Sequence, residues 1–255
     1  MIAPARLAAR RPSIAAVALV TALSMMPTAT VLAQAPSADP SAAPDGAALN
    51  TDDSLDGTWT VDPTIGSFDY GAGDFSGSWV GYRVQEELVG IGGSEAVGRT
   101  PEITGTITLA GTTLSAAEMM ADLTTLRSDQ SMRDGQLGRQ GIQTDQFPTA
   151  TFVLTEPIEL GTLPTEQESI AVTAVGDLTL HGVTNSVSIP LVAVRSGDVI
   201  GVAGSLTFSW DDFGMEQPSS MRVVSLANDV TMELQVFLRH DTAAHAAEPS
   251  SSPAA

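Results

Sequence analysis

Few side chains in this chain have the chemistry to act on a substrate or to hold an ion. It has three histidines and no cysteine. His181 lies in Leu180-His-Gly-Val183. General acid–base work would need a nucleophile or a carboxylate aligned on its ring; the other reading is a turn histidine bonded to backbone. His240 and His245 fall at the end of the chain, so no converging His or Cys set points to a metal. Arg127, Arg133 and Asp134 suit a clamp on a polar head group, or else an ion pair that pins a connection to its sheet. Asp129 and Asp134 also suit the start of a short helix, as caps. Asp211-Asp212 are adjacent, a poor geometry for calcium. The sequence has no nucleophile elbow, phosphate loop or dinucleotide fingerprint. These residues predict no enzyme and no metal site.

The elements that position these residues read as strands. Gly176 to Pro190 is the clearest stretch: Leu178 and Leu180 alternate with Asp177 and Thr179, and Val183, Val187 and Ile189 are spaced by Thr and Ser. A period of two marks strands with one face in a core. Gly182 between them supplies the positive φ of a tight hairpin. The domain opens at Gly57 to Asp62, with Trp59 and Val61 on one face. Val80, Tyr82 and Val84 share a face, with Glu86 next in the same register. Phe152 and Leu154 share another, after a proline placed where a strand begins. Gly105 to Leu109, Gly176 to Leu180 and Gly204 to Phe208 repeat one short pattern, which favours similar strands over a solenoid. Leu114 to Leu126 is ambiguous. Ala116 to Ala121 are helix formers, yet their antiparallel surroundings predict a strand. Arg127 to Ile142 reads as a connection with a short helix. Long strands joined by short turns favour a closed barrel over a sandwich.

The remaining bounds come from composition. Residues 1–34 read as a signal peptide: Arg6, Arg10 and Arg11 precede an apolar run from Ile14 to Leu32. Val31-Leu32-Ala33 and Ala33-Gln34-Ala35 are both small-x-small exits, and Pro36 favours the first. An uncleaved anchor is the competing reading, but Pro27 and several Ser and Thr interrupt the run. Residues 35–55 and 241–255 read as a disordered linker and a disordered tail, too poor in apolar surface to order themselves. About 185 residues, 56–240, remain for one domain whose stability rests on packing without disulfides. No second apolar run follows, so no stable membrane span is expected after signal cleavage. The formal charge is −19. Removing the three leader arginines leaves eight basic residues, all Arg, against 30 acids, or −22. Such a surface repels nucleic acid and anionic headgroups, so nucleic acid is excluded as a partner.

Five words in order resemble the YceI-like family of exported, lipocalin-like barrels. They are Trp59-Thr-Val-Asp62; Ser128-Asp129 with Arg133-Asp134; Phe147-Pro148 with Thr151-Phe152; Gly176-Asp-Leu-Thr-Leu-His-Gly-Val-Thr184; and Asp212-Phe-Gly214 with Val230. The resemblance covers roughly residues 57–240. It implies an all-β fold, a single antiparallel barrel of about eight strands with a short helical connection. It also implies an apolar lumen holding a polyisoprenoid lipid, and no other cofactor. The lumen set is then Val80, Tyr82, Val84, Glu86, Phe152, Leu154, Leu178, Leu180 and Phe208, with Arg127, Arg133, Asp134 and His181 at the head group or rim. Plain core filling is the competing reading of each, although only 5% of residues are aromatic, which leaves room. Many relatives carry a histidine at the position of Glu86. If that position meets a head group, a carboxylate favours a quinone or neutral isoprenoid over a polyprenyl phosphate. The expected role is an exported carrier, secreted or held in the cell envelope, and compatible with a homodimer. The alternative is a cell-surface structural or adhesion module whose barrel is filled by side chains.

Overall fold

The computed structural model describes residues 55–241. The expected signal peptide, the tail beyond Asp241 and His245 lie outside the described residues, as does the expected linker except for Leu55. Leu55 is buried, and its carbonyl accepts the Trp59 indole N–H at 3.0 Å.

Twelve strands make eight staves of one barrel. The first is β1 (Gly57–Val61) continued by β2 (Trp79–Leu88). The second is β3 (Gly92–Thr100) continued by β4 (Ile103–Ala110). It breaks at Pro101, which has no N–H to give to a ladder. The third is β5 (Thr113–Asp122), a 3-10 turn at Leu123–Thr125 and β6 (Arg127–Ser128); β6 pairs with β3. A short helix, α1 (Ser131–Gln136), and a π-helical turn (Leu137–Gly141) form the expected helical connection. The fourth stave is β7 (Thr149–Leu154) with β8 (Ile158–Glu159), both paired to β5. Then come β9 (Ser169–Leu180), β10 (Val183–Ser196), β11 (Val199–Ser209), a 3-10 turn (Trp210–Phe213) and β12 (Val223–His240).

Every pairing between these strands is antiparallel, and staves adjacent in sequence are adjacent in space. The 18 residues of β12 pair with β11 along one edge and with β2 and then β1 along the other. Trp59 thus lies opposite Ile107 of β4 and also opposite His240 of β12, which closes the ring. A sheet closed on itself has no free edge to pair with another chain.

Local chemistry explains the two decisive turns of phrase in this fold. At the β9–β10 hairpin, His181 and Gly182 take φ of 52° and 73°. Two positive φ values in a two-residue loop match the right-handed twist of the flanking strands. In β5 the helix-forming residues are extended: Ala117, Met119 and Ala121 turn inward while Glu118 and Met120 face out. Ladders to β4 and β7 satisfy this backbone on both sides, which outweighs tenths of a kcal/mol per residue of helix preference.

Buried side chains form two clusters. In one, Trp210, Phe213, Met215, Leu137 and Ile142 from the two connections pack with Val84, Leu178 and Val230. In the other, Trp59 and Leu238 are almost completely buried with Ile103, Ile107 and Val236. Among the described residues no helix is long and apolar enough to cross a membrane.

Candidate functional site

Inside the barrel the side chains of both clusters surround unfilled space. The larger compartment has a volume of about 190 Å³ and an almost wholly apolar wall, drawn from strands all round the ring. A smaller one of about 80 Å³ lies toward the helical end. Val80, Ala150, Leu178 and Met232 line both, so the two are neighbours along one axis. The wall follows from strand alternation. Inward residues Ile170, Val172, Ala174 and Leu178 of β9 line it, while Thr173 and Asp177 between them do not.

The expected lumen residues divide as follows. Val80 and Leu178 line both compartments, Phe152 and Leu154 the larger, and Tyr82, Leu180 and Phe208 the smaller. The Phe152 ring lies across Gly176 on the neighbouring strand: a Cβ there would come within 2.7 Å of the ring. Val84 is buried in the cluster of Trp210 and Phe213 and lines neither compartment. Glu86 also lines neither. Its carboxylate is 3% exposed and accepts from Arg133 Nη2 at 2.7 Å. Sequence reasoning missed Met119, Met232, Ile107 and Trp210, which also form the wall. The signal for the first three was present, since each is inward in an alternating strand.

The expected polar group is spent on structure. Arg133 joins Glu86 on one side and Asp129, four residues before it, on the other. Burial works against its charge, but the two carboxylates outweigh that and raise its pKa. Asp134 accepts from the Ser128 N–H at 2.9 Å and the Ser128 hydroxyl at 2.6 Å, which ties α1 to β6. Arg127 donates to the carbonyls of Thr124 and Leu126, and its own carbonyl accepts the Tyr70 hydroxyl. Arg127 and Arg133 therefore serve different partners. His181 gives Nδ1–H to the Phe213 carbonyl at 3.1 Å and sets its ring edge-on against Phe147 at 4.4 Å. These bonds fasten the helical end to the hairpin.

The other candidate ion ligands also have local duties. Asp212 caps the 3-10 turn reciprocally with Ser209, whose N–H and hydroxyl hold its carboxyl below the usual range. His240 stacks on Trp59 at 4.8 Å and contacts the Asp56 carbonyl at 2.9 Å. Among the described residues, no three His, Asp or Glu side chains converge as a metal site.

The geometry is that of an internal apolar hollow with a polar clasp outside its wall. The chain is similar to several solved structures. One, a polyisoprenoid binding domain from Saccharophagus degradans implicated in plant cell wall breakdown, is 18% identical, with a TM-score of 0.51 over 64% of this chain and 94% of that one. Another, Burkholderia cenocepacia BcnA, is 16% identical, with a TM-score of 0.48 over 62% and 95%. The Campylobacter jejuni YCEI protein is 16% identical, with a TM-score of 0.46 over 56% and 84%. No curated protein matches the chain. The family model of the YceI-like domain matches residues 59–238, from within β1 to within β12. With the whole ring inside that match, the chain belongs to the YceI-like family.

Proposed function

We propose that this protein is an exported carrier that holds a polyisoprenoid-type lipid in the barrel lumen, and that its role is binding and not catalysis. The observation that carries this reading is the apolar hollow inside the closed barrel. An apolar chain gains about 0.8 kcal/mol for each methylene it buries. The polyisoprenoid binding described for the Saccharophagus degradans domain supports the same ligand class. The two compartments together fall short of the roughly 300 Å³ at which ligand pockets begin. Met119 and Met232 supply the missing room, because an unbranched thioether rearranges easily. Export through the leader of residues 1–34 places this carrier outside the cytoplasm, where a lipid needs an oily container.

The limited volume favours one rival, a surface module whose barrel is filled by its own side chains. Organic extraction of the purified protein followed by mass spectrometry separates the two. The carrier yields a stoichiometric isoprenoid. Repeated lipid-free extracts, with no gain in melting temperature on adding isoprenoids, would decide for the filled barrel.

A further inference from the structure

Three buried polar side-chain atoms among the described residues have no hydrogen-bond partner: Tyr82 Oη, Arg99 Nε and His181 Nε2. Two are explained locally. The Arg99 guanidinium is sandwiched between Phe75 and Trp79, at 4.5 and 4.3 Å from the ring centres. His181 is already fixed through its other ring nitrogen. Tyr82 has no such account, and its ring is part of the wall of the smaller compartment.

We infer that the Tyr82 hydroxyl is the hydrogen-bond donor for the polar head of the bound lipid, and that this head is an uncharged oxygen acceptor, such as a ketone or quinone carbonyl, rather than a phosphate. The inference rests on the carrier reading above and adds to it a head-group class, a recognising atom and a direction. The head lies at the α1 end, and the chain runs past Val80, Leu178 and Met232 into the larger compartment.

Four observations carry it. A buried hydroxyl without a partner is costly, and such a group in a native structure calls for an occupant. The ring is held in place by its neighbour: Tyr82 lies opposite Gly98 of β3, and a Cβ at that position would overlap the ring. Burial raises the phenol's pKa above its ordinary value, so the group stays protonated and able to donate. The nearby charge disfavours an anion. Of the charged side chains that act on the phenol, Arg133 is matched by Glu86 and Asp129, and Asp134 adds a further carboxylate. A phosphate would meet surplus carboxylate, whereas a carbonyl requires only the one donor. The hydroxyl oxygen is wholly buried, so a lipid head reaches it by displacing an apolar neighbour from the compartment wall.

The test uses the whole protein and three probes with the same kind of chain: farnesylacetone, farnesane and farnesyl diphosphate. Trp210 lines the same compartment, so its fluorescence reports occupancy. The wild type is expected to bind the ketone roughly ten-fold tighter than the hydrocarbon or the diphosphate. Tyr82→Phe keeps the ring and loses only the hydroxyl. It should bind farnesane as the wild type does, which also shows that it is folded, and should bind farnesylacetone five- to ten-fold more weakly. Unchanged ketone binding by Tyr82→Phe overturns the inference, and leaves a trapped water as the partner of the hydroxyl. A wild type that prefers the diphosphate overturns it too. Binding of farnesane with no advantage for the ketone removes this inference alone, while failure of all three probes removes the carrier reading with it.

Discussion

Taking away the Glu86 carboxylate would strip the Arg133 guanidinium, which is itself only 17% exposed, of its buried counter-charge, leaving it the exposed Asp129 and the Ser128 hydroxyl. A buried pair broken on one side costs about 3 kcal/mol. Glu86→Ala should therefore lower the urea midpoint by that equivalent, and the double variant Glu86→Leu with Arg133→Met should recover most of it. Full stability of the single variant would contradict the pairing. The same geometry changes what a histidine at position 86 would do: it would face Arg133 before it faced a lipid. Alternation alone placed Val80, Tyr82, Val84 and Glu86 on one inward column, and that was legible. The partner of Glu86 was not. Arg133 is 47 residues away, on a helix whose fold over the barrel end no local pattern records.

At the scale of elements, β5 is the sharpest case. Its residues favour helix, and its neighbours make it a strand. That assignment has a direct check, because the two structures put adjacent methionines in different places. Met119 packs inward against the core and Met120 is 46% exposed. Met119→Asp puts a carboxylate against an apolar wall and should cost 3 kcal/mol or so, read in the same denaturation. Met120→Asp should stay within about 0.5 kcal/mol of the wild type. Equal losses at both sites would speak for a helix. The strands around the His181-Gly182 hairpin were readable because alternation and turn chemistry agreed there. The connection from Arg127 to Ile142 was readable as a connection with a short helix, but not in its detail. Its π-helical turn depends on Leu137 and Ile142 plugging the barrel, a contact made across the fold.

The molecule as a whole depends on one seam, where β1 meets β12. Arg239 of β12 reaches Asp62 at 2.6 Å and also binds Asp198. Bonds from Thr64, first, and from Arg239 hold the Asp62 carboxyl at about 2, below its ordinary 3.8. A carboxylate depressed in the folded state stabilises fully above its unfolded value and loses that effect as pH falls through its folded one. Asp62→Asn should therefore melt below the wild type at neutral pH, and the gap should close between about pH 4 and pH 2. A gap that persists undiminished in acid would assign the stability to something else. Closure was legible from long strands and short turns, and the five family words agreed; periodicity itself reports faces and never which strand lies beside which. The volume of the hollow was not legible either, because it depends on how side chains from all eight staves meet in the middle. One consequence concerns timing. Trp59 and His240 sit side by side although nearly the whole domain separates them along the chain. A polypeptide still leaving the ribosome lacks its final hoop-fastening segment. The ring therefore cannot shut until synthesis of the domain is finished.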